Sequence, residues 1–156
     1  MSCEHAGLEA AILLVLAKRS DRIECIREIA ELIRISGSYR WVGLYDIDYV
    51  SDTVKNLAWS GPCVPDFPSF AITMGLTATV VSTGEAVNVG DVASDHRYLS
   101  AFSTTKSEII VPIIDETEAR VVGTLDIESE MPFAFDGAVE ARLKRYAVLI
   151  APLWQA

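Results

Sequence analysis

The sequence predicts an α+β fold: an antiparallel sheet with N- and C-terminal helices packed on one face, and loops with a ligand pocket on the other. Apolar residues recur at helical spacing near both ends of the chain, and runs of β-branched and aliphatic strands fill the middle. Two of those strands also carry acidic residues where a sheet wants apolar ones: Glu108 in SEIIVPII, and Asp126 and Glu128 in VVGTLDIES. A carboxylate in such a strand is costly to bury unless something satisfies it, so these three are either the floor of a small-molecule pocket or strand-end acids that cap backbone amides or sit in water.

The elements follow in order. Residues 6–19 have an apolar helical pattern, with Leu8, Ile12, Leu13 and Leu16 as a stripe that is either core or an interface. Asp21 is placed to cap a second helix over 22–35, whose stripe is Ile23, Ile26, Ala30 and Ile33. The period then changes. Strands are expected at 39–48, 54–59 and 69–74, with a proline-rich loop between the last two. A short helix over 76–82 ends at Gly84, and a short strand covers 86–89. Residues 91–105 are polar and irregular, with one helical turn near 95–100. Strands at 106–114 and 120–128 form a hairpin. A closing helix spans 136–153, with Val139, Leu143, Tyr146, Ala147 and Ile150 as its core stripe, and Pro152 disturbs its last turn.

Composition bounds the function. The chain has 156 residues, of which 51% are hydrophobic and 22% charged, which fits one globular domain over residues 1–156. Its net charge is −9, and no Lys/Arg cluster offers a nucleic-acid or anionic-membrane surface. The apolar run AAILLVLA at 10–17 is too short to span a bilayer, and Glu4 and Glu9 stand where a signal peptide needs positive charge. A cytoplasmic protein is the expectation. Cys3, Cys25 and Cys63 are odd in number and widely spaced, which argues against a disulfide framework and a zinc site. No metal and no cofactor are expected.

Counting by two sorts the strand faces. Trp41, Gly43, Tyr45 and Ile47 share one face of the first strand, and Val42 and Leu44 lie on the other. Ile109, Val111 and Ile113 oppose Glu108, and Leu125 and Ile127 oppose Asp126 and Glu128. The aliphatic faces suit the helices. The mixed faces then bring Trp41 and Tyr45 together with the three acids, an arrangement suited to an ammonium or another compact cation. Glu108 joins Asp126 only if the two strands pair with an even index sum. That parity requires a hairpin loop with an odd number of residues, such as 116–118.

Several phrases, in order, resemble a GAF domain: YRWVGLYDID at 39–48, GLTATVVSTGEAVNVGDV at 75–92, SEIIVPI at 107–113 and VVGTLDIES at 121–129. Within that superfamily the sequence is similar to the free methionine-(R)-sulfoxide reductases. The resemblance implies a pocket built from Trp41, Tyr45, Glu108 and Asp126, with Glu128 standing where the family has Asp. That family attacks a sulfoxide with a thiolate and resolves the product through a disulfide. Its cysteine positions hold Thr77, Ala101 (the catalytic position) and, by nearest match, Phe67. None supplies a thiol. The NKFDE-type pattern of cyclic-nucleotide-binding members and the Cys-His context of bilin-binding members are not found.

The resemblance therefore implies a non-catalytic, sensor-type module that binds a small-molecule ligand, such as a free amino acid or derivative, through Trp41, Tyr45, Glu108, Asp126 and Glu128. Two alternatives stand beside it. One is a sulfoxide reductase that uses Cys63 with an external thiol. The other is an assembly module, a homodimer through the terminal helices. The segment 91–105, with Asp95, His96 and Tyr98, is either a lid or a plain surface loop. The chain shows no transmitter, kinase or DNA-binding segment, so any signal would leave through a partner or through self-association.

Overall fold

The computed structural model describes residues 3–100 and 102–155. Two helices lead: α1 (Cys3–Ala17) and α2 (Arg22–Gly37). The Asp21 carboxylate accepts from the backbone N–H groups of Ile23 and Glu24, as an N-cap should. Ser38 closes α2 in the left-handed region, at φ 53°. The strands are β1 (Trp41–Asp48), β2 (Thr53–Ser60), β3 (Ser69–Ala71), β4 (Val87–Val89), β5 (Ser107–Asp115) and β6 (Arg120–Ser129). Helix α3 (Gly75–Thr83) stops at Gly84, and α4 (Gly137–Ile150) starts from the Asp136 cap. Pro152 has no N–H to continue α4, and the chain tightens into a 3₁₀ turn over Ala151–Trp154 instead of extending the helix to 153.

All six strands form one sheet in the order β3-β2-β1-β6-β5-β4, with every pair antiparallel. One face carries Val42, Leu44, Ile109, Val111, Ile113, Leu125 and Ile127, and packs on α1, α2 and α4. Helix α2 contributes Cys25, Ile26, Ile29, Ala30 and Ile33. Helix α1 departs from the expected stripe. It buries Leu8, Ile12 and Val15, while Leu13 is 51% exposed and Leu14 67%. Arg145 of α4 donates twice to Glu9 of α1 and ties the two terminal helices together.

The opposite face holds two smaller clusters. Trp41, Tyr45, Ile47, Val54, Phe102 and Val121 form one, and Leu76, Val80, Val87, Val89, Val92 and Ile110 form the other. Helix α3 and the loops cover this face. The helical turn expected near 95–100 lies earlier, at Val92–Ser94, where Asp91 accepts from the N–H of Ala93.

The expected odd hairpin loop is not what the chain uses. Asp115 pairs with Arg120, so the loop is residues 116–119, an even number. The Asp115 carboxylate holds it by accepting from the N–H groups of Thr117 and Glu118. An even loop would place Glu108 and Asp126 on opposite faces. A β-bulge repairs the count: Ile113 pairs with Gly123 but Ile114 pairs with Val121, leaving Val122 as the extra residue. Beyond the bulge the index sums are even, and Glu108 pairs with Glu128. The two faces come out as expected, by a different device.

Candidate functional site

The site is a consequence of three adjacent strands. In β1, Trp41 pairs with Glu128 and Gly43 with Asp126. In β5, Glu108 pairs with Glu128 and Ile110 with Asp126. One lateral row of the sheet therefore reads Trp41, Glu128, Glu108, and the next reads Gly43, Asp126, Ile110. Gly43 leaves room on its row: a Cβ there would run into the Trp41 indole, which lies over it.

All five residues expected at the site are buried on this face. Trp41 is 1% exposed. Its indole packs on Phe102 at 5.4 Å and Tyr45 at 6.3 Å between centroids, and its Nε1 donates to the Cys63 carbonyl at 3.2 Å. Tyr45 meets the Phe70 ring edge-on at 6.0 Å. The Tyr98 hydroxyl reaches in from the 91–105 loop and donates to Glu128 Oε1 at 3.1 Å.

The carboxyl cluster lacks compensating charge. Among the described residues, no Lys or Arg makes an ion pair with Glu108, Asp126 or Glu128. Arg40 is near enough to pull the Glu128 pKa down, but its own ion pair is with Glu130 at 3.1 Å. Asp126 Oδ1 and Glu128 Oε2 are buried and accept no hydrogen bond. Burial pushes Asp126 up to about 7, against the lowering effect of a hydrogen bond with Glu108. Burial, then the Asp126 charge, pushes Glu128 up to about 8. Burial holds Glu108 well above the usual carboxylate range, reinforced by the charges of Asp126 and Glu128. These groups titrate as a unit, and near neutral pH the unit holds protons.

A cavity of about 30 Å³ sits against this cluster. That is room for about one water molecule. Tyr45, Glu108, Ile110 and Asp126 form its sheet wall. Gly75, Leu76 and Thr77 at the start of α3 form a second wall, and Pro65, Phe67, Phe70 and Leu99 close it. Trp41 and Glu128 do not line it. The wall expected from Trp41 and Tyr45 is thus a Tyr45 wall with Trp41 packed against Phe102.

The cysteine-equivalent positions follow the same geometry. Thr77 and Phe67 both line the cavity, while Ala101 lies outside the described residues. Cys63 is exposed and off the cavity wall, Cys25 is buried in the helix-side core, and both are free thiols. Of the loop residues, Tyr98 reaches the cluster. Asp95 is engaged with Arg97, and His96 is exposed. Residue counting could not link Tyr98 to Glu128, because they meet across 30 residues of chain. No helix among the described residues is long and apolar enough to cross a membrane.

Known proteins place this architecture. The chain is 31% identical to the type II free methionine-R-sulfoxide reductase of Thermoplasma acidophilum, with a TM-score of 0.77 over 86% of this chain and 95% of that one. It shares the fold of the Neisseria meningitidis free methionine-R-sulfoxide reductase solved with its substrate, at 24% identity, TM-score 0.84, and 97% and 86% coverage. It also shares the fold of the GAF domain of the Acinetobacter phosphoenolpyruvate-protein phosphotransferase, at 17% identity, TM-score 0.85, and 99% and 94% coverage. No curated protein matches the chain. The model of the GAF domain matches residues 21–152, and with that match over most of its length the chain belongs to the GAF domain family.

Proposed function

We propose that this GAF domain is a non-catalytic binding module for a small polar metabolite that carries an ammonium group, a free amino acid or a derivative of one. GAF domains commonly bind small molecules. The observation that carries the reading is the pair of buried, unpartnered acceptors, Asp126 Oδ1 and Glu128 Oε2, in a cluster whose Asp126 and Glu108 line a cavity. Leaving such oxygens unsatisfied costs about 1–3 kcal/mol each, or more if charged, and an N–H donor from a ligand removes that cost.

A second wall supports an amino acid in particular. Helix α3 has no side-chain cap at its N-terminus, and its first residues line the same cavity. A helix N-terminus favours an anionic group, and the acidic cluster favours a cationic one. The charges of a zwitterion match the two walls. The cavity is too small for an amino acid as it stands, so the segments carrying Leu99 and Phe67 must move to admit one.

Thiol chemistry has no residue to work with on this wall, since Thr77 and Phe67 occupy two of the cysteine-equivalent positions. Cys63 is the remaining candidate for a reductase, and its side chain is exposed to solvent away from the cavity.

A thermal-shift screen with free amino acids and both methionine sulfoxide epimers tests the reading. A ligand that raises the melting point of the wild type but not of Asp126→Asn supports it. No shift with any of them removes it. Self-association through α1 is then the reading left, favoured by exposed Leu13 and Leu14 on a helix that is apolar on more than its core side. Gel filtration of a chain lacking residues 1–19 decides that point, because a dimer that persists excludes this helix.

A further inference from the structure

We propose that the pocket takes its cationic ligand group in exchange for a proton, so that a ligand ammonium docks against Asp126 and Glu108 on the cavity wall, with Glu128 beside them, while the carboxyl cluster releases a proton to solvent. The proposal rests on the ligand reading above and adds its linkage to pH.

The geometry forces protons into the cluster. Glu108 and Glu128 are direct cross-strand partners, and Asp126 is two residues from Glu128 on the same face. Like charges directly opposite in a sheet repel, and three buried carboxylates with no ion-paired Lys or Arg among the described residues do not all ionise together. The neighbouring groups do not change that. Tyr45 of β1 and Tyr98 of the loop are neutral phenols, each pushed above its ordinary pKa by burial and by these acids. The Thr105 hydroxyl, itself buried and without a partner, lies near enough to Glu128 to pull its pKa down, and the α3 residues Leu76 and Thr77 carry no charge. Arg40, which acts on Glu128 through its charge, lies 3.1 Å from Glu130 in an ion pair without hydrogen-bond geometry at its Nε.

A ligand ammonium changes the balance by facing the cluster directly. It supplies the missing positive charge and an N–H donor for Asp126 Oδ1 on the cavity wall, and its charge acts on Glu128 behind it. The carboxyl group that held a proton then ionises, the proton passes to buffer, and the docked site holds a carboxylate–ammonium pair. With Asp126 pushed up to about 7 and Glu128 to about 8, the exchange falls in the neutral range. Below it, the ligand competes with protons and loses. A quaternary ammonium, which has no N–H to donate, satisfies neither orphan oxygen and binds poorly.

The test has a ligand-free arm and a ligand arm. In the first, the infrared spectrum of the wild type is compared with that of Asp126→Asn and Glu128→Gln. A protonated-carboxyl band at pH 6 that fades by pH 9 and is altered in the variants is expected. A wild type without that band at pH 6 overturns the proposal, because there is no proton to exchange. In the second arm, L-methionine-(R)-sulfoxide and L-methionine are titrated calorimetrically at pH 6, 7 and 8, in phosphate and in Tris. Affinity that strengthens by up to about tenfold per pH unit, with heats that differ between buffers by about one proton's ionisation, supports it. Tight binding that is flat with pH and independent of buffer overturns the exchange and leaves the ligand reading intact. A clear protonated band with no binding of either probe overturns the exchange through its ligand. Glycine betaine, the quaternary control, should give no measurable heat.

Discussion

Glu108 and Glu128 face each other across the β5–β6 pair, each almost wholly buried, with no Lys or Arg of the described residues in an ion pair with either. Most proteins are stabilised as carboxylates ionise; this cluster works the other way. Its acids have raised folded-state pKa values, so their contribution is greatest below the unfolded value near 4 and is lost as pH rises through about 7 to 8. Asp126→Asn is therefore expected to stabilise the ligand-free fold at pH 8.5 by on the order of 2 kcal/mol, and by less at pH 5. Urea denaturation of both proteins at the two pH values checks this. A variant less stable than wild type at pH 8.5 contradicts it.

Tyr98 anchors the loop that covers the pocket. Tyr98→Phe keeps the ring and removes the donor to Glu128, at a cost of about 1 kcal/mol. The loss should concentrate locally, as faster amide exchange in residues 91–100 than in β1 or β6. Uniform acceleration across the sheet would mean that the hydroxyl supports the whole fold and not the loop.

Gly43 is required by its neighbour. Gly43→Ala pushes a methyl into the Trp41 indole and should destabilise by about 1–3 kcal/mol. Gly137→Ala, at the first position of α4 with nothing near the added Cβ, is the control and should be neutral or mildly stabilising. Chemical denaturation separates the two. Equal effects would show that the indole moves aside without strain.

Cys63 lends its backbone, not its thiol, to the site. Cys63→Ser keeps the carbonyl that accepts from the Trp41 indole. Stability should change by less than about 0.5 kcal/mol, as for surface substitutions. In the native state one fast-reacting thiol should disappear from a thiol-labelling assay, because Cys63 is exposed while Cys25 is buried. Loss of binding to any ligand found in the thermal-shift screen would return Cys63 to the functional site.

Asp95 is the other fastening of the same loop. Its carboxylate accepts from the Arg97 backbone and guanidinium, and Arg97 also donates to Thr79 on α3. The hydrogen bonds from Arg97 lower Asp95 to about 2, so this fastening holds above pH 4 and fails as pH falls through 2. Asp95→Ala should speed limited proteolysis within residues 91–100 at neutral pH, with little effect at α4.

Much of this was legible in the sequence because strand and helix periods differ. Counting by two put Trp41, Tyr45, Glu108, Asp126 and Glu128 on one face, and all five lie there. Asp21 read correctly as a cap because an N-cap is a local signal. Non-local features were not legible. The bulge at Val122 leaves no mark in composition, so the hairpin loop was expected to be odd when it is even. The stripe of Leu8, Ile12, Leu13 and Leu16 reads as core or interface from its spacing; the helices bury Leu8, Ile12 and Val15 and leave Leu13 exposed. The covering of Trp41 by Phe102 and the Tyr98–Glu128 contact depend on how a long irregular loop returns to the sheet, which no period encodes.

The extra residue in β6 separates two things that a simple hairpin would bind together. Because Val122 shifts the phase inside the strand, the turn at 116–119 does not set which way the acids point. The turn can be exchanged for another four-residue turn without disturbing the pocket. Deleting Val122 removes the bulge but leaves Ile114 opposite Val121 and Ile113 opposite Gly123, so Glu108, Asp126 and Glu128 keep their common face. The bulge thus absorbs the one residue of β6 that the turn leaves over, and the direction of the acids rests on the ladder from Ile113–Gly123 to Glu108–Glu128 and not on the turn.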